Sequence, residues 1–122
     1  PNMADWVLTL DWMFSITSVA DQKPEVFFLA TNLLRCVLNK KGHIDDDQRR
    51  RIVYIFYGAA CLELSSMYLE GDSVQKECLT SMKSLTVPQF QGGVKDALHE
   101  TGGKLFVRNF AKGAFGVPFR AL

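Results

Sequence analysis

Arg51-Ile52-Val53-Tyr54-Ile55-Phe56-Tyr57-Gly58-Ala59-Ala60-Cys61-Leu62 is the stretch on which the fold turns. Its β-branched and aromatic opening has the composition of a strand. A buried strand, however, runs for about four to eight residues between turn clusters, and this apolar run is longer and has none at its edges. The pattern predicts a helix from Asp45 to Tyr68, with Gly58, Ala59 and Ala60 as a smooth strip on which a neighbouring helix can lie close. Asp45-Asp46-Asp47 followed by Arg49-Arg50-Arg51 fits its start, because carboxylates favour the positive end of the helix dipole and the first basic residues fall one turn on.

Working outward, Asp5 to Val19 carries Trp6, Leu10, Met13 and Phe14 at three- and four-residue spacing, and Leu8, Trp12, Ile16 and Val19 widen that face. Asp21 to Pro24 breaks it. Pro24 and Glu25 suit the first turn of a second helix, Pro24 to Leu38, which is apolar on most sides and so belongs in the centre of a domain. Lys40, Lys41 and Gly42 end it. On the other side, Glu70-Gly71-Asp72 stops the long helix, and a shorter one is expected at Ser73 to Lys83. Thr86-Val87-Pro88-Gln89 reads as a cap and first turn. The helix that follows, through Val94 and Leu98, is weakened by Gly92-Gly93 and stopped by Gly102-Gly103. The expected fold is all-α: a compact five-helix bundle around a buried third helix. Residues 1–105 form one domain, and 106–122 form a Phe- and Gly-rich arm or extra short helix.

The composition narrows the function. A 48% apolar and 22% charged chain is ordinary for a soluble globular domain. Its near-neutral charge, with both signs mixed, argues against a phosphate-tracking nucleic-acid binder. No uninterrupted apolar run reaches bilayer length and no secretory signal opens the chain, so no membrane partner and an intracellular location, nucleus or cytoplasm, are expected. Pro1 is not an initiator residue, which suits a domain trimmed from a longer protein. Cys36, Cys61 and Cys78 are an odd set with no CxxC pair, the pattern of buried thiols rather than of a disulfide framework or zinc site.

Candidate chemistry is sparse. Consecutive carboxylates at 45–47 point in different directions on a helix and lack the alternation of a calcium loop. Arg49 to Arg51, next to them, read as a neutralised surface. His43 and His99 have no cysteine or serine motif around them, and phosphate-loop and dinucleotide fingerprints are missing. Trp6 and Trp12 read as core anchors. The expectation is a protein with no catalytic residues, no metal and no cofactor.

Several of these segments together resemble the cyclin box. They are Asp11-Trp12 in the first helix, Glu25 opening the second with Leu29-Ala30 and Asn32-Leu33-Leu34 within it, Gly58 to Leu62 with Leu64-Ser65-Ser66, Tyr68 and Glu70 in the third, and Thr86 with Gln89 opening the fifth. The resemblance covers roughly Asp5 to Leu105. It implies a regulatory subunit that binds a protein kinase catalytic subunit through the third and fifth helices and favours one of its conformations. The residues implied at that interface are Leu64, Met67, Tyr68, Val94 and Leu98. Met67 and Val94 stand where cyclins usually have a lysine and a glutamate, an apolar exchange of both partners. Of the substrate-docking patch, only Leu8 and Trp12 match, with Asp5-Trp6 where Met-Arg is usual.

A second resemblance is to groove-type apoptosis regulators of the B-cell-lymphoma family, through Arg51-Ile52-Val53, Phe56, Gly58, Ala59 and Glu100 to Gly103. It implies a groove for a death-motif helix. Lys104 stands where that family has tryptophan, and its Asn-Trp-Gly before the arginine is missing. A third possibility is a structural or viral assembly domain in which copies of the chain self-associate.

Overall fold

The computed structural model describes residues 2–102, and the expected arm at 106–122 lies outside them. The fold is all-helical: α1 (Met3–Val19), α2 (Pro24–Lys41), α3 (Asp47–Leu69), α4 (Gln75–Ser81) and α5 (Val87–Glu100). Helix α3 is the hub, with α1, α2 and α5 packed around it and α4 reaching α1.

Each boundary has a local cause. Asn2 caps α1 by accepting from the Asp5 N–H at 3.1 Å, which starts the helix two residues before the expected Asp5. Asp21 bridges to α2 with a φ of 55°, a left-handed conformation that a short polar side chain tolerates. Pro24 opens α2, which runs past the expected Leu38 to Lys41 and ends on Gly42 at φ 81°. Asp46, the middle acid of the triplet, caps α3 by accepting from Arg49 N–H at 2.9 Å, so α3 begins at Asp47 rather than Asp45. Helix α4 is shorter than expected, and its start is held from α3: Glu63 accepts from Val74 N–H and Ser73 O–H. A capping box of Thr86 and Gln89 opens α5, which continues through Gly92-Gly93.

The core holds Met13, Val26, Leu34, Val37, Ala59, Cys61, Leu62, Cys78 and Phe90 among others. Helix α3 is long and apolar enough to cross a membrane by length and composition; half of that window is buried among the other helices. The α1 face differs from the expectation. Trp6, Met13 and Ile16 are buried, but Leu8, Phe14 and Val19 are exposed, and Asp5, Thr9 and Thr17 are buried instead, Asp5 and Thr9 against α3. Helix α2 is likewise two-sided, with Phe28 63% exposed.

The small residues set how closely the helices approach. A Cβ on Gly58 would lie 3.2 Å from Met13 Sδ and Thr9 Cγ2, so the smooth strip on α3 receives α1. A Cβ on Gly93 would lie 2.7 Å from Phe56 Cζ, so α5 packs its backbone on that ring. Gly92 faces open space. The two adjacent glycines are therefore expected to respond in opposite ways. Gly92→Ala should stabilise the fold by about 0.5–1 kcal/mol through helix propensity alone. Gly93→Ala should destabilise it, because overpacking at about 1–3 kcal/mol exceeds that gain when the Phe56 ring is held edge-on to Tyr57. Urea unfolding of both variants checks the signs.

Candidate functional site

Two polar assemblies pin the helices around α3. In the first, Asp5 of α1 is buried and accepts from Arg50 Nε at 2.6 Å and Arg51 Nε at 3.0 Å. Arg50, also buried, donates further to Ile44 O at 3.0 Å and Asp47 Oδ1 at 2.8 Å. Burial pushes the Asp5 carboxyl up, but the two guanidinium groups outweigh it and hold it below the usual carboxylate range. Of the arginine triplet, read from the sequence as a neutralised surface, Arg49 and Arg51 are exposed but Arg50 is buried. Arg50 is a structural link to α1, and an aspartate far upstream gave no local signal of it.

The second assembly joins α2, α3 and α5. Lys41 Nζ lies 3.0 Å from both Asp96 Oδ2 and Glu100 Oε2, and 5.0 Å from the centre of the Tyr57 ring. Tyr57 O–H donates to the same Asp96 oxygen. The Tyr57 hydrogen bond and Lys41 hold the Asp96 carboxyl low against the opposing effect of burial. Burial raises the Tyr57 hydroxyl, with its bond to Asp96 adding to the shift, so it stays a donor. The Glu100 and Asp96 bonds raise the Lys41 ammonium, which stays charged.

Beside this cluster, an open groove of about 540 Å³ runs between α3, α5 and the α4–α5 connection. Ile52, Phe56, Met82 and Leu85 supply its apolar surface, while Gly92 and Gly93 put no side chain into it and Asp96 lies on its edge. The glycine pair, read from the sequence only as a weakness in a helix, creates the opening. Phe56 is half-buried and Ile52 is 60% exposed, so both can meet a partner.

The residues implied by the cyclin resemblance differ in burial. Leu64 is buried at 8% exposure, Val94 and Leu98 are half-buried against the core, Tyr68 is partly buried, and Met67 is exposed. In sequence Leu98 falls between the two carboxylates that hold Lys41, and on α5 it takes the other side, packed against the core. Leu64, Met67 and Tyr68 flank Ser66, whose Oγ is 2.6 Å from Gln22 Oε1, just before α2 begins. Gly93 sits on Phe56, about three turns of α3 from Met67, so Met67 and Val94 do not meet. Of the docking-patch residues, Leu8 is exposed, while Trp12 is half-buried and donates to Ser81 Oγ of α4 at 2.8 Å.

The histidines are exposed, His43 beside Asp45 and His99 on α5. Among the described residues no group of three or more His, Cys, Asp or Glu could hold a metal ion. Cys61 and Cys78 are buried and burial pushes both thiols up, Cys78 to about 12. Cys36 on α2 is exposed, against the expectation of three buried thiols. No family model, curated protein or solved structure matches the chain.

The carboxylates give the fold an acid limit. Asp5 and Asp96 both titrate below the ordinary value of 3.8 in the folded state, so the unfolded chain takes up those protons first as the pH falls. Their stabilisation is complete above the unfolded value and is lost as the pH drops through the folded ones. The thermal midpoint is expected to decline below about pH 5, and Asp96→Asn to make that decline shallower. Tyr57→Phe, which removes the donor to Asp96, should cost about 1 kcal/mol in urea unfolding at neutral pH.

Proposed function

We propose that the chain is a non-enzymatic protein-binding module that takes an apolar segment of a partner protein in the groove between α3 and α5. The supporting observation is the groove itself, an apolar trough opened by Gly92-Gly93 beside a charge cluster that fixes its walls. Its volume is that of a site for two or three large side chains, the anchors an amphipathic helix presents to such a groove. The cyclin-box resemblance names the partner to test first, a protein kinase catalytic subunit. The third and fifth helices remain the working surface under this reading, centred on Ile52, Phe56 and Gly92 instead of Leu64 and Leu98.

Co-purification with a serine/threonine kinase catalytic subunit tests the reading. Ile52→Asp and Gly92→Lys alter exposed positions, so both should keep the helical circular dichroism of the parent and lose the kinase. A parent chain that retains no kinase rejects the kinase partner, and unchanged capture in both variants rejects the groove. Leu64→Asp, by contrast, should unfold the domain, because it puts a charge in the core.

A second reading, self-assembly, draws on the α1–α2 face. Phe14 and Phe28 are 58% and 63% exposed and are joined through Phe27 by edge-to-face contacts with centroids 5.5 and 5.7 Å apart. Under this reading the scattering mass rises with concentration, and Phe28→Asp abolishes the rise.

A further inference from the structure

We infer that the basic, phenylalanine-rich segment 104–122 of this same chain is an occupant of the α3–α5 groove, one that a partner must displace. This rests on the groove reading above and assigns the groove an intramolecular ligand.

Three observations converge on it. The first is position. Helix α5 forms one wall of the groove and ends at Glu100, about one turn beyond Asp96 on the groove edge. Gly102, at φ 63°, then takes the chain out of the helical path. The segment therefore begins beside the mouth of the groove, and its extended reach of about 60 Å is far more than the roughly 21 Å length of α5.

The second is charge. Lys104, Arg108, Lys112 and Arg120 are the charged residues of the segment, and it has no aspartate or glutamate. The rest of the chain holds all thirteen acidic residues against the remaining ten basic ones, so an acidic body is tethered to a basic segment. At the groove edge, Lys41 and Tyr57 both bind Oδ2 of Asp96, whose side chain is 37% exposed. Its other oxygen can accept from a guanidinium or ammonium group.

The third is apolar content. Leu105, Phe106, Val107 and Phe110 lie among those cations, and Phe115 and Phe119 follow. Rings of this size match a trough floored by Phe56, Met82 and Leu85. A short tether sets an effective concentration on the order of millimolar, so even a weak contact is substantially occupied. An external partner must outcompete it, which makes the segment a threshold on binding.

Site-specific photo-cross-linking tests this in the full chain, with p-benzoylphenylalanine replacing Phe110 and the sample irradiated at low concentration. The expected product has the mass of a single chain, with its link mapped by mass spectrometry to Ile52–Tyr57 or Met82–Gln89. Gly92→Lys, whose Cβ would meet no atom within 4 Å and whose ammonium repels the basic segment, should abolish that link, whereas Gly92→Ala should keep it. A link to α1 or α2, a link between two copies, or no link overturns the inference. If the link is missing but Ile52→Asp still loses the kinase, the intramolecular ligand is rejected and the groove reading stands. If the link forms but Ile52→Asp and Gly92→Lys both keep the kinase, the segment docks there and the groove is not the partner's site.

Discussion

Taking a carboxylate and a guanidinium out of water is unfavourable unless nearly every hydrogen-bonding direction of both is used. At the junction of α1 and α3 each nitrogen of Arg50 and each carboxylate oxygen of Asp5 has a partner. Asp5 accepts from two arginines, and Arg50 divides its donors among Asp5, Asp47 and the Ile44 carbonyl. An α1 displaced by one residue would carry the carboxylate away from the arginines and leave buried charge unpaired. The pair therefore sets the register of α1 along α3, a stricter demand than apolar contact can make. The downstream contacts follow from it: Thr9 and Met13 come over Gly58, and Gln22 reaches Ser66 at the far end of α3.

With α1 fixed on one side of α3, α2 and α5 take the others, and Lys41 closes the ring of contacts. Its ammonium draws two carboxylates of α5 to the end of α2 while its charge lies over the Tyr57 ring of α3. Between that tie and the α4–α5 connection, α5 has no side chains at 92 and 93. The result is a bundle held firmly at its polar junctions and open along one apolar seam.

The helices were legible in the sequence because apolar spacing, caps and breakers are local. The Thr86 cap, Pro24 at the start of α2 and the Gly58–Ala60 strip all act where they were read. Boundaries moved by two or three residues where a side-chain cap chose among equivalent acids, as Asp46 did within its triplet. The face of α1 was misjudged because burial there follows a polar partner: Asp5 and Thr9 go inward, and Phe14 turns out toward Phe27. The groove was not legible, since it depends on what a glycine pair faces across the interface. The five positions carried over from the cyclin resemblance differ in burial, from Leu64 in the core to Met67 at the surface, because motif spacing does not say which side of a helix its neighbours cover.

The distribution of cysteines has a use that concerns motion. Cys36 meets solvent on α2, whereas Cys61 lies in the heart of α3 and Cys78 on the short α4, both buried. A thiol reagent at neutral pH therefore finds one sulfur on the native chain, and the other two become available only when the structure around them opens. Because α4 is a single short element held from α3 by Glu63, its release can expose Cys78 while Cys61 stays covered. The two buried sulfurs thus form an internal pair of clocks, one timing detachment of α4 and the other disassembly of the whole bundle.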